Sequence, residues 1–212
     1  RKYFFTKAPM NKKLLILDYG HGNANSIKRS LKNFQVNTIY SNAKDEINSA
    51  DGIIMPGVGH FKSAMDSMKK SNIIDTLYKR AYIDKIPFLG ICLGFQLMAS
   101  HSEEGSCDGL NWISTCVKKI QPRDSRKFKV PHIGWRTLNS SNDCILLKNI
   151  DYRVHPFYFC HKFAIDTNLN GRLGTYRYED EYVGIYEEDN VFGVQFHPEK
   201  SHEHGKELIR NF

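Results

Sequence analysis

Short apolar runs recur through the first half of the chain at residues 13–18, 36–40, 52–55 and 88–91, with segments of helical period between them. No other feature constrains the fold as much. Strands that alternate with helices pair in parallel, because each crossover must carry the chain back across the sheet, and the helices then cover both faces. Residues 25–34 place Ile27, Leu31 and Phe34 at helical spacing, with Asn25 or Ser26 as the expected cap. Helical pattern returns from 60 to about 83, and the strand at 88–91 runs straight into a helix expected over 93 to about 100. From 113 to 195 short β-type runs dominate. Those at 172–178, 182–186 and 191–195 are separated by the acidic turns Glu179-Asp180-Glu181 and Glu187-Glu188-Asp189-Asn190. They read as antiparallel hairpins added to the core. A last helix is expected from about 202 to 212. The predicted class is α/β, a mostly parallel central sheet flanked by helices, with antiparallel hairpins in the second half.

A chain of 212 residues suits one domain with a sizeable core. That domain is expected over 10–212, with 1–9 a leader or an expression remnant. No apolar run approaches the ~20 residues of a membrane span. The five cysteines, Cys92, Cys107, Cys116, Cys144 and Cys160, form no C-x-x-C pair. An odd, unpaired set argues for a reducing cytoplasm over a disulfide framework or a zinc site. Nine histidines raise the question of a metal. His202-Glu203-His204 lies near His197, but a thiol site uses His197 otherwise, and no metal or cofactor is expected. The net charge is +7, and its densest stretch is Lys118, Lys119, Arg123, Arg126, Lys127 and Lys129. No aromatics interleave there as on a nucleic-acid stacking surface, so neither nucleic acid nor membrane is an expected partner. A solvated face or a docking face for an acidic partner both fit.

The chemistry concentrates at Gly90-Ile91-Cys92-Leu93-Gly94 and His197-Pro198-Glu199. Gly-x-Cys-x-Gly between a strand and a helix has the form of a nucleophile elbow, with cysteine in the place of serine. The following helix aims free N–H groups and a positive dipole end at the sulfur, favouring thiolate. The Leu93 N–H is placed to bind an oxyanion. An inert buried cysteine in a packed turn is the bland alternative. His197 and Glu199, two residues apart at a strand end, would share a face, letting the carboxylate hold the imidazole as general base and then acid. Gly57-Val58-Gly59 after Pro56 could supply a second oxyanion donor from its backbone.

Pro56-Gly57-Val58-Gly59, the segment from Gly90 to Gln96 and the segment from Gly193 to Ser201 resemble class I (triad) glutamine amidotransferases, which have a flavodoxin-like fold. Asp18-Tyr19-Gly20-x-Gly22-Asn23, Val130-Pro131-His132-Ile133-Gly134-Trp135, Tyr158-Phe159-x-His161 and Glu199-Lys200-Ser201 are similar to the glutaminase subunits (HisH) of imidazole glycerol phosphate synthases. The resemblance runs from about Lys13 to Phe212. It implies that Cys92 attacks the side-chain amide of L-glutamine, that His197 protonates the departing ammonia, and that water releases glutamate from a glutamyl thioester. It also implies that Gln96 and the backbone near Gly57 help bind glutamine. Ammonia would pass to a (β/α)8-barrel cyclase (HisF-like) in a heterodimer of histidine biosynthesis, and the Val58 peptide would reorient when the partner's ribotide ligand binds. Asn23, Pro131, Trp135, Tyr158 and Lys200 would face that partner.

The residues themselves leave Trp135 open as core or as interface anchor, and Lys200 as a solvated charge or one meeting a partner carboxylate. His21, Ala24, Trp112 and Arg136 depart from the family's usual residues, and all are expected near partner-facing loops. An alternative partner is therefore a sugar-modifying synthase of surface-polysaccharide (acetamidino sugar) biosynthesis. A non-catalytic module and a stand-alone hydrolase of γ-glutamyl substrates are the other classes to weigh.

Overall fold

The structure, a computed structural model, describes residues 12–32, 34, 36–140 and 144–212. Residues 1–9, expected to be a leader, lie outside the described residues. The first half follows the β/α alternation, with β1 (Lys13–Leu17), α1 (Ala24–Leu31), β2 (Asn37–Ser41), α2 (Lys44–Ser49) and β3 (Gly52–Gly57) in order. Next come α3 (Phe61–Lys70), α4 (Ile74–Tyr78), β4 (Phe88–Cys92) and the single turn α5 (Leu93–Gln96). Three strands, β5 (Ala99–Ser102), β6 (Cys107–Asp108) and β7 (Ile113–Lys119), precede β8 (His132–Arg136) and β9 (Asn139–Ser140). The rest is β10 (Phe157–His161), β11 (Phe163–Ile165), β12 (Arg172–Tyr178), β13 (Asp180–Glu188), β14 (Val191–Val194) and α6 (His202–Asn211).

The main sheet has the order β2-β1-β3-β4-β14-β13-β12-β9. Its first five strands pair in parallel and its last three antiparallel, the expected α/β core with added hairpins. The alternation of side chains along each strand splits the core into two layers. On β1, Leu14 and Ile16 join α1 and α6 on one face, whereas Leu15 and Leu17 join α3 and α4 on the other. Phe61, Met65, Met68 and Leu77 are at most 1% exposed, and each such burial favours folding by roughly 1.5–3 kcal/mol.

The helices depart from the sequence pattern at three places. The segment expected as one helix from 60 to 83 breaks after α3, where Asn72 takes φ +51, a left-handed conformation asparagine tolerates. Residues 79–83 then form a π turn. The helix expected over 93–100 stops at Gln96, because the carbonyls of Leu97, Met98 and Ala99 accept N–H groups from Leu110, Trp112, Ile113 and Asn111. With those acceptors taken, Ala99–Ser102 becomes a strand beside β7. The cap of α1 is Asn23, whose Oδ1 accepts the Ser26 N–H at 3.2 Å.

A small sheet of β8 and β10 sets His132 opposite His161 on its buried side and Trp135 opposite Tyr158 on its outer side. His161 Nδ1 lies 2.8 Å from the Phe163 carbonyl and must carry the proton there. Its Nε2 then accepts from His132 Nδ1 and from the Tyr176 hydroxyl, each at 3.2 Å. His132 Nε2 meets no partner among the described residues, consistent with a bare lone pair on a neutral ring. Burial chiefly, and then His161 beside it, pushes His132 down to about 3. Burial likewise pushes His161 down to about 4, against the help of its bond to Phe163.

Unfolded, both rings take a proton near pH ~6.5. Their contribution to stability is therefore present above that pH and is lost as pH falls from ~6.5 toward 4, with a slope above ~1 kcal/mol per pH unit while both resist protonation. Urea unfolding at pH 7 and pH 5 is expected to show this loss, and His132→Phe is expected to flatten it. An equal pH dependence in both proteins would contradict the neutral buried pair.

Candidate active site

Cys92 ends β4 at φ +54, ψ −110, a sparsely populated backbone region that costs roughly 1–3 kcal/mol and persists only when its surroundings enforce it. Here packing enforces it. A Cβ on Gly90 would lie 2.8 Å from the Phe95 backbone, and one on Gly94 would lie 1.9 Å from the Met55 carbonyl oxygen. The elbow exists because nothing larger than glycine fits on either side of the cysteine. The four-residue α5 that follows has too few aligned peptides for a large dipole, so the dipole expected from the sequence contributes less than the neighbouring histidine.

His197 follows β14, the strand next to β4, which carries it to the same sheet edge as Cys92. Its N–H donates to the Tyr158 carbonyl at 2.9 Å. Ser201 clamps the turn by donating its hydroxyl to the His197 carbonyl at 2.7 Å and accepting the Tyr158 N–H at 3.0 Å. Glu199 Oε1 lies 2.8 Å from His197 Nδ1, and both side chains are 3% exposed. The expected reason for this pairing, alternation along a strand, does not apply. A 3-10 turn over Pro198–Lys200 folds the carboxylate back on the ring. Burial opposes a charge on His197, yet the adjacent Cys92 sulfur, by charge and hydrogen bond, and Glu199 outweigh it and raise the imidazole well above its ordinary value. The arrangement brings together a cysteine sulfur, an imidazole and, behind it, a carboxylate, the groups of an activated thiol nucleophile.

Gly57 ends β3 in register with Cys92. The Val58 N–H, a candidate oxyanion donor, instead donates to the His21 carbonyl at 2.7 Å. Gly59 follows at φ +112, with His21 Nδ1 3.2 Å from where its Cβ would stand. The Tyr19 hydroxyl donates to the Pro56 carbonyl at 2.6 Å and ties the same loop down. Leu93 opens α5, where the first N–H groups have no intrahelical acceptor. Gln96 is 4% exposed and donates Nε2 to the Phe163 carbonyl at 2.8 Å and to Gln195 Oε1 at 2.9 Å.

The residues proposed for a partner face are gathered in part. Trp135 is 37% exposed, stacks on His202 at 4.9 Å and meets Tyr158 edge-on at 5.5 Å. Lys200 Nζ sits 5.5 Å from the Tyr158 ring centre, and Ile133 is exposed two residues before Trp135 on the same strand face. Pro131 directly precedes β8, and Asn23 is occupied as the cap of α1. Trp112 does not belong near such a face, because it packs edge-on against Phe88 and Tyr82. Ala24 also lies in the core. The basic stretch is partly neutralised by its own chain, through Lys118 with Asp166 and Arg123 with Asp180, each at 2.7 Å.

The chain matches the model of the family Glutamine amidotransferase class-I over residues 15–212. It belongs to that family. It is 40% identical over 200 residues to imidazole glycerol phosphate synthase subunit HisH 2 of Methanococcus maripaludis, covering 94% of this chain and 98% of that one. It is 36% identical over 200 residues to the subunit HisH 2 of Pseudomonas aeruginosa, with 94% and 98% covered. Among solved structures it is similar to PurLQS from Thermotoga maritima, with a TM-score of 0.67, 19% identity, and 94% and 96% of the two chains covered. At that identity the likeness is one of fold. The chain is thus an enzyme of the glutamine amidotransferase class, and its Cys92 elbow lies within the matched region. Three contacts near the site had no role assigned from the sequence: the His21 carbonyl, whose residue was noted only as a departure, the His132–His161 pair, noted only within motifs, and Gln195. Gln195, two residues before His197, sat inside a quoted motif but had no role there.

Proposed function

We propose that residues 10–212 form the glutaminase subunit of an imidazole glycerol phosphate synthase, in the cytoplasm. The observation that carries this reading is the meeting of the Cys92 elbow with His197 and its 2.8 Å bond to Glu199. Thiolate Sγ attacks the side-chain carbonyl carbon of glutamine. The tetrahedral oxyanion is received by the Leu93 N–H, and the His197 proton goes to the nitrogen as the C–N bond breaks. Ammonia leaves and a glutamyl thioester remains. Neutral His197 then takes a proton from water, the hydroxide adds to the thioester, and the C–S bond breaks to return the thiolate and release glutamate. Gln96 and the Gly57 region hold the substrate. Ammonia passes to a (β/α)8-barrel cyclase that forms imidazole glycerol phosphate and aminoimidazole carboxamide ribotide. Trp135, Tyr158 and Lys200, with Asn23 and Pro131 nearby, form the docking face.

The Val58 N–H bonded to His21 supports a glutaminase that is nearly silent alone, since one candidate oxyanion donor is already engaged by another carbonyl. One such donor is worth about 10²–10³ in kcat. Glutamate release is therefore expected to rise about 10²–10³-fold when the cyclase and its ribotide ligand are added. No stimulation, with Cys92 still open to a glutamine-analogue label, would reject the cyclase as partner and point to a sugar-modifying synthase.

A further inference from the structure

Gln195 immediately follows β14, is 0% exposed, and lies between the nucleophile and Gln96. Its amide orientation follows from its neighbours. The Phe163 carbonyl can only accept, so the Gln96 atom facing it at 2.8 Å is the NH2 group. That same NH2 faces Gln195 at 2.9 Å, so the Gln195 atom there is the carbonyl oxygen. The remaining end of the Gln195 amide, its NH2, then points at Cys92 Sγ, 3.6 Å away. A flipped Gln195 would set two NH2 groups against each other and turn an oxygen toward the sulfur. The fixed acceptor at Phe163 therefore sets the direction of the whole chain of bonds.

We propose that Gln195 is a positioning residue for the reaction at Cys92, donating an amide N–H to the sulfur while its oxygen locks the Gln96 amide. The inference rests on the reading of Cys92 as the glutaminase nucleophile. A hydrogen bond to a thiolate is charge-assisted and is stronger than one to the neutral thiol, so it favours the reactive form and fixes its direction of attack. His197 lies on one side of the sulfur. The other titratable groups near it are Tyr19 and Tyr176, both kept neutral chiefly by burial. Gln195 is thus a neutral, fully buried donor to the sulfur. It also ties the nucleophile to Gln96, so a shift of one displaces the other.

The test is the pH profile of Cys92 alkylation by iodoacetamide in the unsubstituted protein, Gln195→Glu and Gln195→Met. Glutamate keeps the volume and the acceptor for Gln96 and, when ionised, replaces the donor to sulfur with a negative charge, whereas methionine removes both donor and acceptor without adding charge, so methionine isolates the effect of the donor at the sulfur. Both variants are expected to move the midpoint of alkylation upward by about one pH unit. With the synthase partner, kcat is expected to fall about tenfold in both variants, with KM changed less than about twofold in Gln195→Glu, which keeps the acceptor for Gln96, and raised in Gln195→Met, which removes it. A merely structural role would lower the folded fraction without moving the midpoint. Folded variants whose profiles superimpose on that of the unsubstituted protein overturn the proposal. A second measurement needs no variant: the Gln195 side-chain amide resonance is expected to shift when Cys92 is alkylated, and an unmoved resonance also overturns it. Failure of a glutamine analogue to label Cys92 would instead remove the glutaminase reading, and is distinguishable because alkylation does not depend on glutamine binding.

Discussion

Cys92→Ser is expected to lower partner-stimulated glutamine hydrolysis by about four orders of magnitude or more while leaving the fold intact. Cys92 sits 5% exposed in a turn enforced by glycines, and serine is small enough to occupy the same place. What is lost is the thiolate that the proposed mechanism uses. A hydroxyl stays protonated at neutral pH, so the raised imidazole of His197 loses the charge partner that chiefly holds its proton. His197 would revert toward a neutral, buried ring, and the proton needed by the departing ammonia would have to come from the hydroxyl itself. Glutamate release with partner and ligand present, alongside circular dichroism, measures the effect. Full activity in the folded serine variant would sink the thioester mechanism.

The second large effect is on folding. Gly94→Ala is expected to cost more than ~4 kcal/mol, at the upper end for single substitutions. Its added Cβ would stand 1.9 Å from the Met55 carbonyl oxygen and 2.9 Å from its carbon. Those atoms belong to β3, which is buried and hydrogen-bonded on both sides, to β1 and to β4. A flexible side chain could swing aside, but this backbone can move only by breaking a ladder. Gly20→Ala is the comparison. No atom lies within 4 Å of its added Cβ, so only its φ of +81 opposes the change, at a cost of about 1 kcal/mol. Urea midpoints of the two variants separate crowding from backbone strain. A Gly94→Ala protein as stable as Gly20→Ala would mean that α5 does not press on β3 as described.

Much of the architecture follows from local pattern. Leu14 to Leu17 and Gly52 to Met55 are apolar without interruption, which suits strands covered on both faces, and β1 and β3 are such strands. The hairpin strands are found as expected, but their turns are tighter than the acidic clusters suggested: they close at Glu179 and at Asp189-Asn190, while Asp180, Glu181, Glu187 and Glu188 lie inside β13. Local pattern fails where distant segments compete for the same backbone groups. Leu97 to Ala99 read as helix, yet their carbonyls are taken by residues 110–113 and the chain becomes a strand.

By itself, the sequence determined the class of fold, the elbow at Cys92 and the residue types available for thiol chemistry, because apolar period, glycine spacing and side-chain reactivity are properties of neighbouring residues. Only the tertiary structure decided what those residues meet. The placement of β14 beside β4 sets His197 against Cys92 and turns Gln195 toward the same sulfur. The loop after β1 offers the His21 carbonyl to the Val58 N–H. These contacts depend on strand order and register, which bring together groups far apart in the chain, and a hydrogen bond forms only where distance and angle are both satisfied.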